Sequence, residues 1–208
     1  MDEEYGRKNK AFKVIVIGDI SVGKTAIVNR YTKEEFYDNI QSTIGADYTS
    51  KIVQLDDEFV KLNIWDLSGQ ERYSSLFSVF FREAKGCFIV YDISKKKSFE
   101  NLEKKFNLVK EMAEKENVDI KIIIVGNKKD LENKREVTTE EGKQFAKKKK
   151  CPFFETSAWS NENIREIFIK MAEEINKSAS KSQPPEDDKK AIKLIDESNE
   201  TKKGYYCA

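Results

Sequence analysis

The stretch GDISVGKT, residues 18–25, constrains this chain more than any other part of it. Its spacing, G-x-x-x-x-G-K-S/T, is that of a loop whose successive backbone N–H groups wrap the α- and β-phosphates of a nucleotide. Gly18 and Gly23 let the backbone come close enough to donate, with Asp19, Ile20, Ser21 and Val22 spanning the loop between them. Lys24 is placed to reach the β- and γ-phosphates as a point charge, and the Thr25 hydroxyl to supply a hard oxygen ligand to Mg²⁺. The flanks fit that chemistry. KVIVI before the loop is a short apolar, β-branched run that reads as a buried strand, and TAIVNRY after it, with Ala26 in its first turn, reads as a helix. A helix N-terminus here adds partial positive charge beside the phosphates.

The 208 residues suit one domain with some chain left over. Lys and Arg number 38 against 37 Asp and Glu, so the chain is nearly neutral and lacks the electrostatic footprint of a nucleic-acid binder. Cys87, Cys151 and Cys207 are odd in number and widely separated, which reads as cytosolic thiols and not a disulfide frame. Cys87 lies inside an apolar run and is expected to be inert; Cys151 has no metal-ligand partner nearby in sequence. With no histidine in the chain, zinc chemistry and histidine-based nucleophilic catalysis are disfavoured. MDEEYGRKNK is polar, Asp2 excludes N-myristoylation, and no run is long enough to span a bilayer, so a soluble intracellular chain is expected.

Three runs, VIVI (14–17), CFIVY (87–91) and IIIV (122–125), are apolar without alternation, as strands covered on both faces should be. Helical patterns lie among and after them: Phe99, Leu102, Phe106 and Val109, then Ile164, Ile167, Phe168, Met171 and Ile175. Strands alternating with helices predict a parallel α/β sheet. VKLNIWD differs, because Val60, Leu62 and Ile64 alternate with Lys61, Asn63 and Trp65. The acidic turn before it, following SKIVQL, predicts a hairpin with an antiparallel strand at the sheet edge. Trp65 falls on the polar face, either packed under a neighbouring helix or exposed as an aromatic anchor for a partner. The apolar periodicity stops at Lys177. The division is therefore a flexible segment over residues 1–9, a folded domain over 10–177, and a charged, Ser- and Pro-containing disordered tail over 178–208.

Three further segments bear on the ligand. GNKKD, residues 126–130, follows a buried strand on the edge where such sheets bind ligands. The Asp130 carboxylate can accept from both N1–H and the N2 amino group of guanine, a donor pair adenine lacks, which argues for GTP over ATP. In ETSA, residues 155–158, the backbone N–H groups of Ser157 and Ala158 are placed to meet the guanine carbonyl oxygen. In WDLSGQER, residues 65–72, Asp66 ends a strand as a carboxylate holding Mg²⁺ through water would, and Gly69 leaves its N–H for the γ-phosphate.

These residues, in this order, resemble the small GTPases of the Ras superfamily. The likeness is greatest to the Rab branch, through IGADY (44–48), KLNIW (61–65), RYSSL (72–76), FFREA (80–84) and DISKKKSFENL (92–102), and covers about residues 10–177. It implies the P-loop NTPase G domain: an α/β fold with a six-stranded, mostly parallel sheet, one antiparallel edge strand and helices on both faces. It implies GTP/GDP and Mg²⁺ as cofactors, Thr43 as the second Mg²⁺ hydroxyl, and Gln70 as the catalytic residue orienting the attacking water. Phe36 would lie against guanine, with Asn127 and Lys128 bracing its loop. Ile44, Tyr48, Trp65 and Phe80 would form the effector-binding face. The implied partners of this monomer are an exchange factor, a GTPase-activating protein, effectors and a prenylation escort or GDP dissociation inhibitor. The implied location is the cytoplasm and the cytoplasmic face of endomembranes.

The chain departs from that pattern in places that matter. Ile20 stands where many relatives carry Gly or another small residue, so it should crowd Gln70 and any inserted arginine, unless neighbouring loops shift to accommodate it. Such an arginine is worth on the order of 10³ to 10⁵ in rate. Slow hydrolysis and a poor response to activating proteins are therefore expected. Ile40 stands where a tyrosine is common, and Leu67 and Ser68 replace a Thr-Ala pair. Trp159 replaces a lysine, and its ring either stacks on guanine or packs beneath the base loop. The chain ends Cys207-Ala208, neither a C-a-a-X box nor a double cysteine, which leaves Cys207 as a prenylation site or an unmodified thiol. Ile192 and Leu194 resemble the motif that engages the prenylation escort, or are a stray apolar patch. Seven lysines against six acids over 177–208 give little basic support, so a lipid-anchored form would sit reversibly on membranes. The lysine run 147–150 reads as a solvated helix end. Two other classes compete with the switch: a hydrolysis-deficient, GTP-locked binding scaffold, and a P-loop kinase or ATPase, which conflicts with Asp130.

Overall fold

The parallel sheet anticipated from the apolar runs is present in the computed structural model, which describes residues 10–37, 42–56, 58–69 and 74–181. In chain order the elements are β1 (Lys10–Gly18), α1 (Lys24–Lys33), β2 (Ala46–Leu55), β3 (Glu58–Leu67), α2 (Ser74–Phe81), β4 (Ala84–Asp92), α3 (Lys96–Glu100) and α4 (Leu102–Lys115). There follow β5 (Lys121–Asn127), a 3₁₀ turn (Lys129–Lys134), α5 (Thr139–Lys149), β6 (Phe153–Glu155) and α6 (Ile164–Lys181). The strands lie in the order β2-β3-β1-β4-β5-β6. All neighbours run parallel except β2 and β3, which pair antiparallel with Tyr48 opposite Trp65.

Period-2 alternation within each buried strand feeds two cores, which explains why the runs look uniformly apolar in sequence. Val14, Val16, Phe88, Val90, Ile123 and Val125 face one side, where Ile27 and Tyr31 of α1 and Ile164, Ile167, Phe168 and Met171 of α6 cover them. The rings of Tyr31 and Phe168 stack at 3.8 Å between centroids, fastening the two helices over the sheet. Ile15, Ile17, Cys87, Ile89, Ile122 and Ile124 face the other side, under Leu102, Phe106 and Val109 of α4 and Ala146 of α5. Cys87 is fully buried, and burial pushes its thiol well above the ordinary range, in keeping with an inert role. In β3 the alternating Val60, Leu62 and Ile64 are wholly buried, while Trp65 is half-buried.

Two units divide the chain, Met1–Ile175 and Asn176–Ala208. Of the second, residues 176–181 are described and form the last turns of α6, where Ser180 Oγ donates to the Asn176 carbonyl at 2.9 Å. Helix α6 thus runs past the point where its apolar periodicity ends. The expectations for residues 1–9, Ile40, Gln70, Ile192, Leu194 and Cys207 fall outside the described residues. No described helix is long and apolar enough to cross a membrane.

The lysine run 147–150 closes α5, with Lys150 in the left-handed conformation as its cap. Lys149 is more than solvated: it donates to Glu103 Oε1 at 2.5 Å, with its ammonium 4.8 Å from the Phe106 ring centroid. The other end of α5 carries a capping box, Thr138 accepting from the Glu141 amide while Glu141 accepts from the Thr138 amide at 2.8 Å. A contact from the Lys96 ammonium, aided by those hydrogen bonds, holds the Glu141 carboxyl down at about 2, against an ordinary value of 4.5. Because the folded value is depressed, this stabilisation is present above pH 4.5 and is lost as pH falls through about 2. Glu141→Gln keeps the box and removes the charge. Its deficit in urea midpoint relative to the natural chain should therefore shrink steadily as unfolding is measured from pH 5 down toward about 2; a deficit that does not change with pH would contradict the assignment.

Candidate functional site

At the C-terminal edge of β1, β4 and β5 a cleft of about 690 Å³ opens, within the range of small-ligand pockets. Its walls bring together Ile20, Ser21, Gly23, Lys24, Thr25 and Ala26 from the first loop, Phe36 and Thr43 from the segment after α1, and Gly69 from the end of β3. Asn127, Lys128, Asp130, Ala158 and Trp159 complete it. These come from five stretches of the sequence.

The first loop owes its shape to backbone geometry. Ser21 and Gly23 lie in the left-handed region, at φ 63° and 93°, so that the chain curls around a concavity before α1 begins. A side chain at 23 would be strained, and its Cβ would also stand 2.3 Å from Asn127 Nδ2. Lys24 is buried, its ammonium donating to the carbonyls of Gly18 at 3.1 Å and Asp19 at 3.0 Å, which holds the charge over the concavity. Val22 is fully buried in the core, and the Asp19 carboxylate is turned away onto α4. Neither side chain lines the cleft.

Three oxygens meet below the loop. Thr25 Oγ1 lies 2.9 Å from Thr43 Oγ1 and donates to Asp66 Oδ2, which is 3.5 Å from Thr43 Oγ1. Asp66 is buried, its Oδ1 has no hydrogen-bond partner, and burial pushes its carboxyl pKa up against the pull of the Thr25 hydrogen bond and Lys24. An orphaned buried carboxylate oxygen beside two hydroxyls is the donor set of a hard divalent cation, and a cation there would keep Asp66 ionised. The residues present fit Mg²⁺, with Thr25 and Thr43 as ligands and Asp66 behind them. No group of three or more His, Cys, Asp or Glu forms a metal cluster among the described residues.

The far end of the cleft is built from polar side chains that brace one another. Asn127, 1% exposed, donates to the Val22 carbonyl at 2.9 Å and accepts from Thr156 Oγ1 at 3.1 Å. Lys128 donates to the Ser21 carbonyl at 2.7 Å and pairs with the buried Asp92 at 2.7 Å. Both residues hold the first loop, which is more than bracing a base. Asp130 lines the cleft and accepts from Ser157 Oγ at 2.5 Å, which fixes one of its carboxylate oxygens. The expectation for the Ser157 amide is corrected here: that N–H donates to the Glu162 carbonyl at 3.1 Å in a short bridge, so of Ser157 and Ala158 only Ala158 lines the cleft.

Arg30 went unnoticed in sequence. Its guanidinium donates to the carbonyls of Ala158 at 2.8 Å and Trp159 at 3.1 Å, and sits 5.7 Å from the Phe36 ring centroid, tying α1 to the base loop. Trp159 is 62% exposed at the rim, which removes the alternative that it packs beneath the loop. On the neighbouring surface Tyr48, Trp65 and Phe80 form a continuous aromatic row, with centroids 5.2 and 5.7 Å apart, and Ile44 is 97% exposed beyond it. Trp65 packs against the second core and against Phe80 of α2, as the first alternative had it, and stays partly exposed.

Residues 13–177 match the Ras family. The chain belongs to it. Among relatives, Ras-related protein Rab-11C of Dictyostelium discoideum is 41% identical over 173 residues, covering 83% of this chain and 76% of that protein. Ras-related protein Rab-11B of the same organism is 44% identical over 156 residues, 75% and 70% of the two. Ras-related protein RABA1f of Arabidopsis thaliana is 38% identical over 180 residues, 86% and 80%. The chain is a Ras-superfamily small GTPase of the Rab type, and the sheet has the expected arrangement of one antiparallel edge strand on a parallel sheet.

The exposed rim position of Trp159 is directly measurable. With Trp65→Phe leaving Trp159 as the sole tryptophan, acrylamide quenching should fall by about half when GDP and Mg²⁺ fill the cleft, because a stacked indole loses one face to solvent. Quenching that stays the same would place the ring outside the filled site.

Proposed function

We propose that this chain is a guanine-nucleotide switch of vesicle traffic, which binds GTP, hydrolyses it slowly and recruits effectors on the cytoplasmic face of endomembranes. The observation that carries this reading is the meeting of Thr25, Thr43 and Asp66, because it joins the phosphate loop, the segment after α1 and the end of β3 at one point. Mg²⁺ bound there would neutralise the β- and γ-phosphate oxygens. Lys24 holds the same phosphates by charge, and the curled amides between Gly18 and Thr25 donate to them. Thr43 and Gly69 both line the cleft, and a γ-phosphate bound there would draw them in and release them when it is lost. That motion repositions Ile44 and the aromatic row, which is how an effector would read the nucleotide.

At the other end, Asp130 accepts from N1–H and N2 of guanine, and Phe36 and Trp159 flank the base. Adenine presents no such donor pair, and a buried acceptor left unmatched costs about 1–3 kcal/mol. Exchange factors, activating proteins and a dissociation inhibitor would act on this cycle, with Cys207 carrying a single prenyl group.

Ile20 sets the pace. Its side chain is 49% exposed at the mouth of the cleft, and Gly69 lies against its backbone, where a Cβ at position 69 would stand 2.4 Å from Ile20 N. A branched side chain at this mouth would crowd an inserted activating arginine and a water-orienting glutamine. Single-turnover hydrolysis should accelerate at least about tenfold in Ile20→Gly, and further with an activating protein; equal rates would end the crowding account. The scaffold reading differs in one observable. Chain purified without added nucleotide should carry GDP if it cycles, and retained GTP would favour the locked form.

A further inference from the structure

Helix α4 presents an apolar face of Leu102, Phe106 and Val109 to the second core, and Lys105 lies on that same face, one turn from Leu102. The lysine is buried, only 2% exposed. Its ammonium meets Asp19 Oδ1 of the phosphate loop at 2.9 Å, while Asn101 Nδ2 donates to Asp19 Oδ2 at 2.7 Å. Both carboxylate oxygens of one loop residue are thereby held from one helix. Asp19 also presents its carbonyl to Lys24 at 3.0 Å, so its backbone is fixed from the nucleotide side as well.

What lies against that backbone gives the clamp a consequence. A Cβ on Gly69 would stand 2.4 Å from Ile20 N and 2.6 Å from the Asp19 carbonyl carbon, so Gly69 is in contact with the Asp19–Ile20 peptide itself. Any displacement of that peptide must be passed to Gly69.

We infer that Lys105, with Asn101, is a positioning residue for γ-phosphate recognition: it holds the Asp19–Ile20 peptide as the surface against which Gly69 docks, and so sets the preference for GTP over GDP. The inference rests on the guanine-nucleotide switch proposed above. GDP keeps the anchor of Lys24 on the Gly18 carbonyl, the left-handed turn at Gly23 and the Asp130 end of the cleft, whereas the triphosphate also needs Gly69. Loosening the clamp therefore weakens the triphosphate more than the diphosphate. Changing either partner breaks the same Lys105–Asp19 contact, so a second change has less left to remove.

The test uses the full chain and the release rates of fluorescent GDP and of a fluorescent, non-hydrolysable GTP analogue, each with Mg²⁺. Lys105→Met and Asp19→Asn should each speed release of the analogue on the order of tenfold relative to GDP. The double variant should fall short of the product of the two, as coupled sites do. Asp19 reaches the surface, so Asp19→Asn and the double variant decide the matter if Lys105→Met does not fold. Equal acceleration of both nucleotides, or strictly multiplicative effects, would make the pair a structural fastening only and overturn the inference. A natural chain that released neither nucleotide because it bound neither would overturn the switch reading beneath it as well.

Discussion

The buried amide of Asn127 is the contact on which the cleft depends. It donates into the phosphate loop at the Val22 carbonyl and accepts from Thr156 in the strand-to-helix connection beyond β6, so two loops remote in sequence keep a fixed spacing. A polar side chain so deeply buried is tolerable only when its hydrogen bonds are made, and here donor and acceptor ends are both used. Lys128 adds a second strut to the same loop from the neighbouring position, anchored in turn by Asp92. Because these struts link one part of the protein to another, the cleft is shaped in advance, and a ligand need not supply the energy of shaping it.

The sheet explains why the parts arrive together. Parallel strands β1, β4 and β5 deliver their C-terminal ends to one edge, and each end carries a residue of the site: Gly18, Asp92 and Asn127. Strand β3, parallel to β1, adds Asp66 and then Gly69 at the same edge. The antiparallel hairpin of β2 and β3 does something different. It carries Tyr48 and Trp65 as direct cross-strand neighbours, so the aromatic row shares β3 with Asp66, the carboxylate that meets the Thr25 hydroxyl.

Much of this was legible in the residues. The uniform apolar runs announced strands covered on both sides, and the alternation in VKLNIWD announced the edge hairpin, since a half-exposed strand must alternate. The phosphate loop declared itself because its chemistry demands glycine and a cation at fixed spacing. What could not be read was long-range partnering. Lys105 looked like one of many lysines, although its place on the apolar face with Leu102, Phe106 and Val109 was a signal that a buried partner existed. The diversion of the Ser157 amide to Glu162 depends on the turn at residues 158–162, and Arg30 reaches across more than a hundred residues to the base loop. Neither leaves a periodic trace in the sequence. Trp159 is ambiguous in sequence because a tryptophan suits both a core and a rim.

The proposed switch requires the cleft to be a single site that reads a purine edge at Asp130 and phosphates at the loop 18–25. Calorimetric titration of the nucleotide-free chain in Mg²⁺ with GDP and, separately, with ADP tests this most directly. Strong heat with GDP, at least about a hundredfold tighter than any response to ADP, is the predicted result. Equal binding of the two nucleotides, or no heat from GDP, would contradict it.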